Sequence, residues 1–309
     1  MNTTANTGTH GTIQVKKTRG DRIFQAIVVA LMCLVLVITL YPLYFVVIAS
    51  ISDPQNVYNG YVTFLPSGFN LEGYKRIFQD MSFWLSYLNS IVYTVAGTLL
   101  AIFLSMTIAF PLSRKYFSGR NVVNIILLIP MYFSGGLIPT YLNMQSMNLV
   151  GSPLAVIILG AFSVFNVIVA RTFLIGNLPQ ELDEAAYIEG CSYIRYFMQF
   201  VLPLSKAVIA VLVLYYGIAY WNDYFNAMIY LDDPKFYPLQ LKLYDLLIDA
   251  ELSASMFSSG DIGHATYMRN LSDSIKYGMI VISALPMMIL YPFLQKYFVQ
   301  GVMIGSLKG

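Results

Sequence analysis

The chain has 309 residues, of which 57% are hydrophobic and 11% charged, and its mean hydropathy is +0.64. Soluble domains carry about 25% charged residues, so this composition excludes an ordinary soluble globular protein. The net charge of +2 is too small to indicate a nucleic-acid partner. The apolar residues form blocks of roughly 20 or more, the length at which a helix crosses a bilayer. The sequence therefore predicts an all-α polytopic membrane protein.

An N-terminal tail, residues 1–22, is rich in Thr and Gly. We expect this tail to be flexible and cytoplasmic and to reach the membrane surface, because basic residues cluster at its end. The remaining residues, 23–309, are predicted to form one transmembrane domain. Its six spans are expected at about 24–50, 83–112, 121–142, 153–175, 204–225 and 277–298.

The third predicted span contains four helix breakers, which are Pro130, Gly135, Gly136 and Pro139. A membrane helix tolerates such residues only where neighbouring groups or water satisfy the freed backbone groups. They indicate either a bend that helix packing requires or part of a gate, and the sequence leaves both open. Between the last two spans lies a long segment, 226–276, with one further predicted helix at Pro238–Leu252.

The Lys and Arg residues predict the orientation of the spans. If the N-terminus is cytoplasmic, 12 of the 18 basic residues lie inside and six outside, as the positive-inside rule requires. Both termini and the polar stretch 177–203 are then cytoplasmic, and segment 226–276 forms an outer loop.

The two cysteines and two histidines do not predict a metal site or a disulfide. Cys33 lies in the first apolar block, Cys191 lies in a polar stretch, and His10 and His264 are isolated. We expect inert thiols and no cofactor bound by this chain.

Residues 177–203 form a long polar, acidic stretch between two strongly apolar blocks. Acidic residues directly after Pro179 are typical of a helix N-terminus, where they favour the positive end of the dipole. Gly190 then predicts a turn, and a second amphipathic piece leads to Pro203. The stretch predicts a short helix–turn–helix along the cytoplasmic face, with a solvated loop of no special role as the alternative.

The spacing within this stretch resembles the EAA motif of ABC-importer permeases. Three residues separate Glu184-Ala185-Ala186 from Gly190, and nine more precede Phe200, which stands where the family usually has Ile. In that family the stretch is the coupling helix, which docks into a groove on a cytoplasmic ATPase. The resemblance implies the type I ABC-importer permease fold. It also implies ATPase-coupling roles for Glu181, Asp183, Glu184, Ala185, Ala186, Gly190, Leu202 and Pro203.

Three further segments resemble the carbohydrate class of these permeases, the maltose and multiple-sugar type. They are Asn177–Leu182, Trp221–Asp223 and the C-terminal segment from Tyr297. In the best-known members the tail reaches into the ATPase dimer, which implies ATPase contacts for Gly305, Ser306, Leu307 and Lys308. Residues 135–141, with Arg171-Thr172-Phe173, are similar to the subgroup for complex oligosaccharides and polysaccharides.

The resemblance also implies a set of partners and a location. The partners are a homologous permease, two cytoplasmic ABC ATPases that hold ATP and Mg, an extracellular or periplasmic solute-binding protein and an oligosaccharide substrate. The implied location is the bacterial cytoplasmic membrane, where the chain would form half of an ATP-driven import path.

The outer half of the fifth predicted span carries aromatic and polar residues, among them Tyr216, Tyr220, Trp221, Asn222 and Asp223. Tyr216 and Tyr220 share one helix face. Aromatic planes with amides and carboxylates suit a sugar path, and polar groups near membrane depth favour a functional role. An interfacial aromatic belt is the alternative.

The absence of certain motifs distinguishes between the remaining functional classes, which are an ATPase, a secondary transporter and an ABC permease. No GxxxxGK[ST] phosphate loop occurs, so ATP hydrolysis is expected on partner subunits rather than on this chain. Apart from Asp223, the central parts of the spans hold almost no acidic groups, which disfavours an ion-coupled secondary transporter. An ABC importer of another solute, such as a peptide, amino acid or polyol, stays as a further alternative.

Overall fold

The computed structural model describes residues 18–256, 272–292 and 295, and over these residues its regular structure is helical. The helices are α1 (Arg19–Ser50), α2 (Pro54–Tyr58), α3 (Glu72–Gln79), α4 (Met81–Ser113), α5 (Arg120–Tyr132), α6 (Leu137–Ser146), α7 (Pro153–Leu159), α8 (Val164–Asn177), α9 (Gln180–Ile188), α10 (Tyr193–Tyr196), α11 (Leu202–Leu204), α12 (Lys206–Trp221), α13 (Phe225–Tyr230), α14 (Leu239–Met256) and α15 (Ser272–Pro292). A π-helical turn, Phe197–Val201, joins α10 to α11, and a 3₁₀ turn, Pro234–Phe236, precedes α14.

Three helices, α1, α4 and α15, are each long and apolar enough to cross a membrane. Three pairs of shorter helices meet the same criterion together. The bends within these pairs are 112° between α5 and α6, 48° between α7 and α8, and 80° between Tyr193–Leu204 and α12. The predicted all-α polytopic fold is confirmed, and counting each bent pair as one span gives the six predicted spans.

The fifth span, predicted at about 204–225, corresponds to α12 and the helical residues before it. Helical structure already runs from Tyr193 to Leu204, stops at Ser205 and restarts at Lys206. Pro203 has no backbone N–H to donate to Gln199 O, so it disturbs the preceding turn, where the π-helical residues Phe197–Val201 lie. At the other end the helix stops at Trp221, four residues early.

Helix α4 lies at the centre of the core, packed mainly against α8 and α12. The hydroxyl groups of Ser105 and Tyr216 lie 2.7 Å apart and are buried between α4 and α12. The helix predicted at Pro238–Leu252 is present as α14, where the Leu239 N–H donates to Ser90 Oγ of α4 (2.7 Å). Several helices are thus tied to α4 by hydrogen bonds as well as by apolar contacts.

Helix α1 stands apart from this core. Only Ile48, Ala49 and Ser50 at its C-terminal end are buried, and the helix continues through Pro42 without a break. The hydroxyls of Tyr41 and Tyr44 donate to carbonyls of the following loop. An apolar surface of this length suits a bilayer or another membrane protein.

Candidate functional site

The polar stretch 177–203 folds as a helix, a turn and a second helix. Helix α9 begins after Pro179 and has Glu181 and Asp183 in its first turn, where their charges favour the helix dipole. Helix α10 begins after Ser192, whose Oγ accepts from the Arg195 N–H (3.4 Å). The arrangement agrees with the predicted helix–turn–helix.

Gly190 forms the turn between the two helices. Its φ of +73° lies in the left-handed region, which costs a residue with a Cβ about 1–2 kcal/mol. The Gly190 N–H donates to Tyr187 O (3.0 Å) and the Cys191 N–H donates to Ala186 O (2.9 Å). These are the two hydrogen bonds of a Schellman motif, so glycine ends α9 and reverses the chain in one step.

Large apolar side chains project into solvent on either side of this turn. They are Tyr187 (74% exposed), Ile188 (83%), Tyr193 (64%) and Ile194 (76%), and we refer to these four residues as the exposed turn. The carboxylates of Glu181 and Glu184 are exposed on the same segment. An exposed apolar patch with a polar rim marks a protein contact site.

Asp183 points into the protein. Its Oδ2 lies 2.8 Å from Arg114 Nε, and its Oδ1 accepts a hydrogen bond from the Tyr196 hydroxyl (2.5 Å). Arg114 is fully buried, and its Nη1 donates to Leu178 O (3.0 Å). The guanidinium carbon also lies 5.2 Å from the centre of the Phe110 ring. We refer to Arg114, Asp183 and Tyr196 as the buried anchor.

Of the other predicted coupling residues, Ala185 and Ala186 line a groove on this segment. Ala186 and Leu202 are half-buried against the core of α4, α8 and α12, whereas Ala185 and Pro203 are exposed. The groove has a volume of about 320 Å³. Its apolar lining comes from Leu182, Ala185, Ala186, Cys191 and Phe200. Residues 305–308, predicted to contact the ATPases, lie outside the described residues.

The aromatic residues predicted along the sugar path are buried. Tyr216, Tyr220 and Trp221 are at most 5% exposed. The Tyr220 hydroxyl donates to Ile157 O (2.5 Å), and Trp221 Nε1 donates to Ser283 O (2.9 Å). Tyr216 and Trp221 therefore pack between helices, whereas Tyr220, although buried, also borders a cavity.

Asn222 and Asp223 instead border a cavity of about 340 Å³ next to the bend between α7 and α8. Asn226 also lines it and donates to Asp223 through its N–H (3.1 Å) and its Nδ2 (2.8 Å). A carboxylate offers about four acceptor positions, so Asp223 keeps acceptors for a ligand. A cavity with two amides and one carboxylate is suited to hydroxyl groups.

Nothing local in the sequence indicates the roles of Arg114 and Tyr196, because their partner Asp183 lies on a different helix, α9. Asn226 belongs to the same aromatic and polar patch of the sequence as Asn222 and Asp223, and it lines the same cavity. In the described part of the chain, no group of three His, Cys, Asp or Glu side chains is placed to hold a metal ion.

Comparison with known proteins gives relatives that extend over nearly the whole chain, although no protein-family model matches. Protein LplC of Bacillus subtilis (strain 168) is 37% identical over 295 residues, covering 94% of this chain and 97% of the relative. The polygalacturonan/rhamnogalacturonan transport system permease protein YtcP, also of Bacillus subtilis (strain 168), is 34% identical over 293 residues, covering 94% and 99%.

Among solved structures, the chain is similar to a bacterial ABC transporter involved in the import of the acidic polysaccharide alginate. The TM-score is 0.82 at 30% identity, and the match covers 92% of this chain and all of the transporter chain. The matches to relatives and to this structure each extend over more than nine tenths of the chain. The chain belongs to the permease subunits of bacterial carbohydrate ABC transporters.

Proposed function

We propose that this chain is one of two permease subunits in an ATP-driven importer of oligosaccharides, and that the exposed turn docks on a cytoplasmic ATPase. The observation that carries the proposal is the exposed turn itself. Four large apolar residues surround Gly190 on a polar segment that the distribution of Lys and Arg assigns to the cytoplasm. A bilayer would cover such residues within a span, whereas on a cytoplasmic segment they suit an apolar groove of a protein partner.

The proposed complex contains a homologous permease, two ATPases and a solute-binding protein outside the membrane. ATP and Mg²⁺ belong to the ATPases, since this sequence has no phosphate loop. Both termini are cytoplasmic in this proposal, and residues 305–308 contact the ATPases.

ATP binding drives import in this proposal because the ATPases have different affinities for the inward- and outward-facing states. A ligand shifts a conformational equilibrium only by such a difference. Closure of the ATPases moves the exposed turn, and the spans then open the path towards the binding protein.

The proposed substrate class follows from the relatives and from the membrane cavity. YtcP is named for polygalacturonan and rhamnogalacturonan transport, and the similar solved structure belongs to an alginate importer. In this chain Asn222 and Asp223 are the residues proposed to hydrogen-bond sugar hydroxyls, because both line the cavity.

Reconstitution of the whole transporter tests the proposal. The complex in proteoliposomes, supplied with its binding protein, is offered labelled galacturonan, alginate, arabino- and galacto-oligosaccharides, and amino acids and peptides as controls. We expect ATP-dependent uptake of at least one oligosaccharide. Uptake confined to amino acids or peptides, or uptake that needs no ATPase, would contradict it.

Variants of residues 177–203, which we call the coupling segment, test the ATPase contact separately. Glu184→Gln and Gly190→Val are expected to reduce co-purification of the ATPase or to uncouple ATP hydrolysis from uptake, with normal membrane insertion. Wild-type uptake with a normal ATPase complex in both variants would show that the segment is not the contact.

A further inference from the structure

We propose that the ion pair between Arg114 and Asp183 is the joint that makes the coupling segment move as one body with α4. Asp183 is then a positioning residue for energy coupling, whereas Glu181 and Glu184 face the ATPase. The inference rests on the proposed function, because a joint matters only if an ATPase moves the segment.

The joint holds the coupling segment from two directions. Arg114 is the C-cap of α4, so its backbone is fixed by the end of that helix. Its guanidinium reaches Asp183 in the first turn of α9 through Nε, and Leu178 O just before α9 through Nη1. One guanidinium thus connects the end of α4 to the start of α9 through an ion pair and a hydrogen bond.

The second helix of the segment is tied to the same point. The Tyr196 hydroxyl donates to Asp183, and the Tyr196 ring lies 6.0 Å from the ring of Phe110 on α4. Phe200 stacks on Tyr196 with ring centres 5.6 Å apart. Both helices of the coupling segment therefore meet at the end of α4.

The burial of this pair indicates a role other than stability. The Arg114 side chain is 1% exposed and that of Asp183 is 11% exposed. Removing two charges from water offsets most of their attraction, and a well-packed apolar pair often stabilises a protein as much or more. A buried ion pair does impose one geometry, because an unpaired charge there is unfavourable.

Helix α4 connects the joint to the membrane cavity. The hydroxyl groups of Ser105 on α4 and Tyr216 on α12 share a hydrogen bond. Nearer the N-terminus of α4, Gly97 lies against the Tyr220 ring. Tyr220 lines the cavity with Asn222 and Asp223. If the exposed turn is displaced, α4 moves with it. The movement then reaches the proposed substrate contacts through the buried side chains between α4 and α12.

The test is a double-mutant cycle on the complete transporter in proteoliposomes. The variants are Arg114→Gln, Asp183→Asn and the double variant. The readouts are co-purified ATPase and the number of sugar molecules imported per ATP, measured with the labelled oligosaccharide that the wild type imports fastest. Each single variant is expected to lower this ratio at least fivefold, with the ATPase still bound.

The double variant is expected to lose no more than the worse single variant, because residues that act as a unit give non-additive effects. Arg114→Lys keeps the charge but loses the planar guanidinium, so it should retain more of the wild-type ratio than Arg114→Gln does, but not all of it. Asp80→Asn is the matched control. It makes the same change at the exposed N-cap of α4, where Asn caps as well as Asp, and should leave the ratio unchanged.

An unchanged ratio in Asp183→Asn would overturn the inference. So would single losses that multiply in the double variant, or a fall in uptake that follows the amount of assembled complex. If the single variants fail to assemble, the import ratios of Arg114→Lys and of the neutral double variant test the inference instead. A wild-type complex that imports no oligosaccharide would refute the proposed function instead, since the cycle compares each variant with an active wild type.

Discussion

Tyr220 shows how closely single residues are packed around the membrane cavity. Its ring lies between Gly97 of α4 and Gly160 after α7, and its hydroxyl is held by Ile157 O. A Cβ added at Gly97 would lie 2.3 Å from Tyr220 Cζ, far inside contact distance. Glycine at position 97 is therefore required by the close approach of α4 and α12.

Gly97→Ala is expected to destabilise the purified protein by about 1–3 kcal/mol, the usual result of overpacking a core. The measurement is the thermal unfolding midpoint in detergent. Gly217→Ala on α12 is the control, because the nearest atom to its added Cβ, Thr98 Oγ1, lies at 4.0 Å. Equal stability of both variants would contradict the packing around Tyr220.

Asp223→Asn is expected to lower the uptake rate about tenfold while the ATPase stays bound. Hydrogen bonds to charged groups contribute about 1.5–3 kcal/mol, more than neutral ones do, so loss of the charge weakens the proposed hydroxyl contacts. Asp53→Asn is the control, since Asp53 caps α2 away from the cavity and Asn caps equally well. If both variants transport alike, Asp223 lies off the path.

At the scale of elements, the coupling segment has two chemically different faces. Asp183 and Tyr196 are held inside by Arg114, whereas the exposed turn leaves its four apolar side chains without a contact large enough to bury them. A segment that is anchored to α4 on one face and exposed on the other is suited to transmit a movement of a bound partner to α4. The same residues would be a liability on a solvated loop.

Ile188→Asp is expected to reduce co-purification of the ATPase at least tenfold, with little effect on folding. Its side chain is 83% exposed, so a carboxylate there has no desolvation cost in the free chain but is unfavourable in an apolar groove. Pull-down from detergent extracts measures the loss, and Ile188→Leu should bind normally. Full binding by Ile188→Asp would place the contact elsewhere.

At the scale of the whole molecule, the bent spans and the exposed α1 are typical of one subunit of a larger membrane assembly. Three of the six spans are broken, and the 112° bend between α5 and α6 exposes backbone that a bilayer cannot hydrogen-bond. Such a bend must face water or protein. The bend therefore indicates a surface next to a water-filled cavity or a protein partner, whereas α1 suits a bilayer or another membrane protein.

The proposed orientation predicts which loops a membrane-impermeant maleimide can reach in protoplasts. With Cys33 and Cys191 replaced by Ser, Tyr61→Cys should be labelled in intact protoplasts, because it lies in the outer loop after α1. Ser118→Cys, between α4 and α5, should be labelled only after lysis. The opposite pattern would invert the topology that the Lys and Arg residues indicate.

The sequence alone determined the membrane class, the six spans and the helix–turn–helix with its glycine turn. These features are local, since span length, Pro and Gly positions and acidic residues near a helix start act through neighbouring residues. It also placed Asp183 in the coupling segment by resemblance. Only the tertiary structure decided that Asp183 faces inward to Arg114, and that Tyr216, Tyr220 and Trp221 are buried while Asn222 and Asp223 line the cavity. Which face of a helix is covered depends on helices distant in sequence, and no local pattern reports their packing.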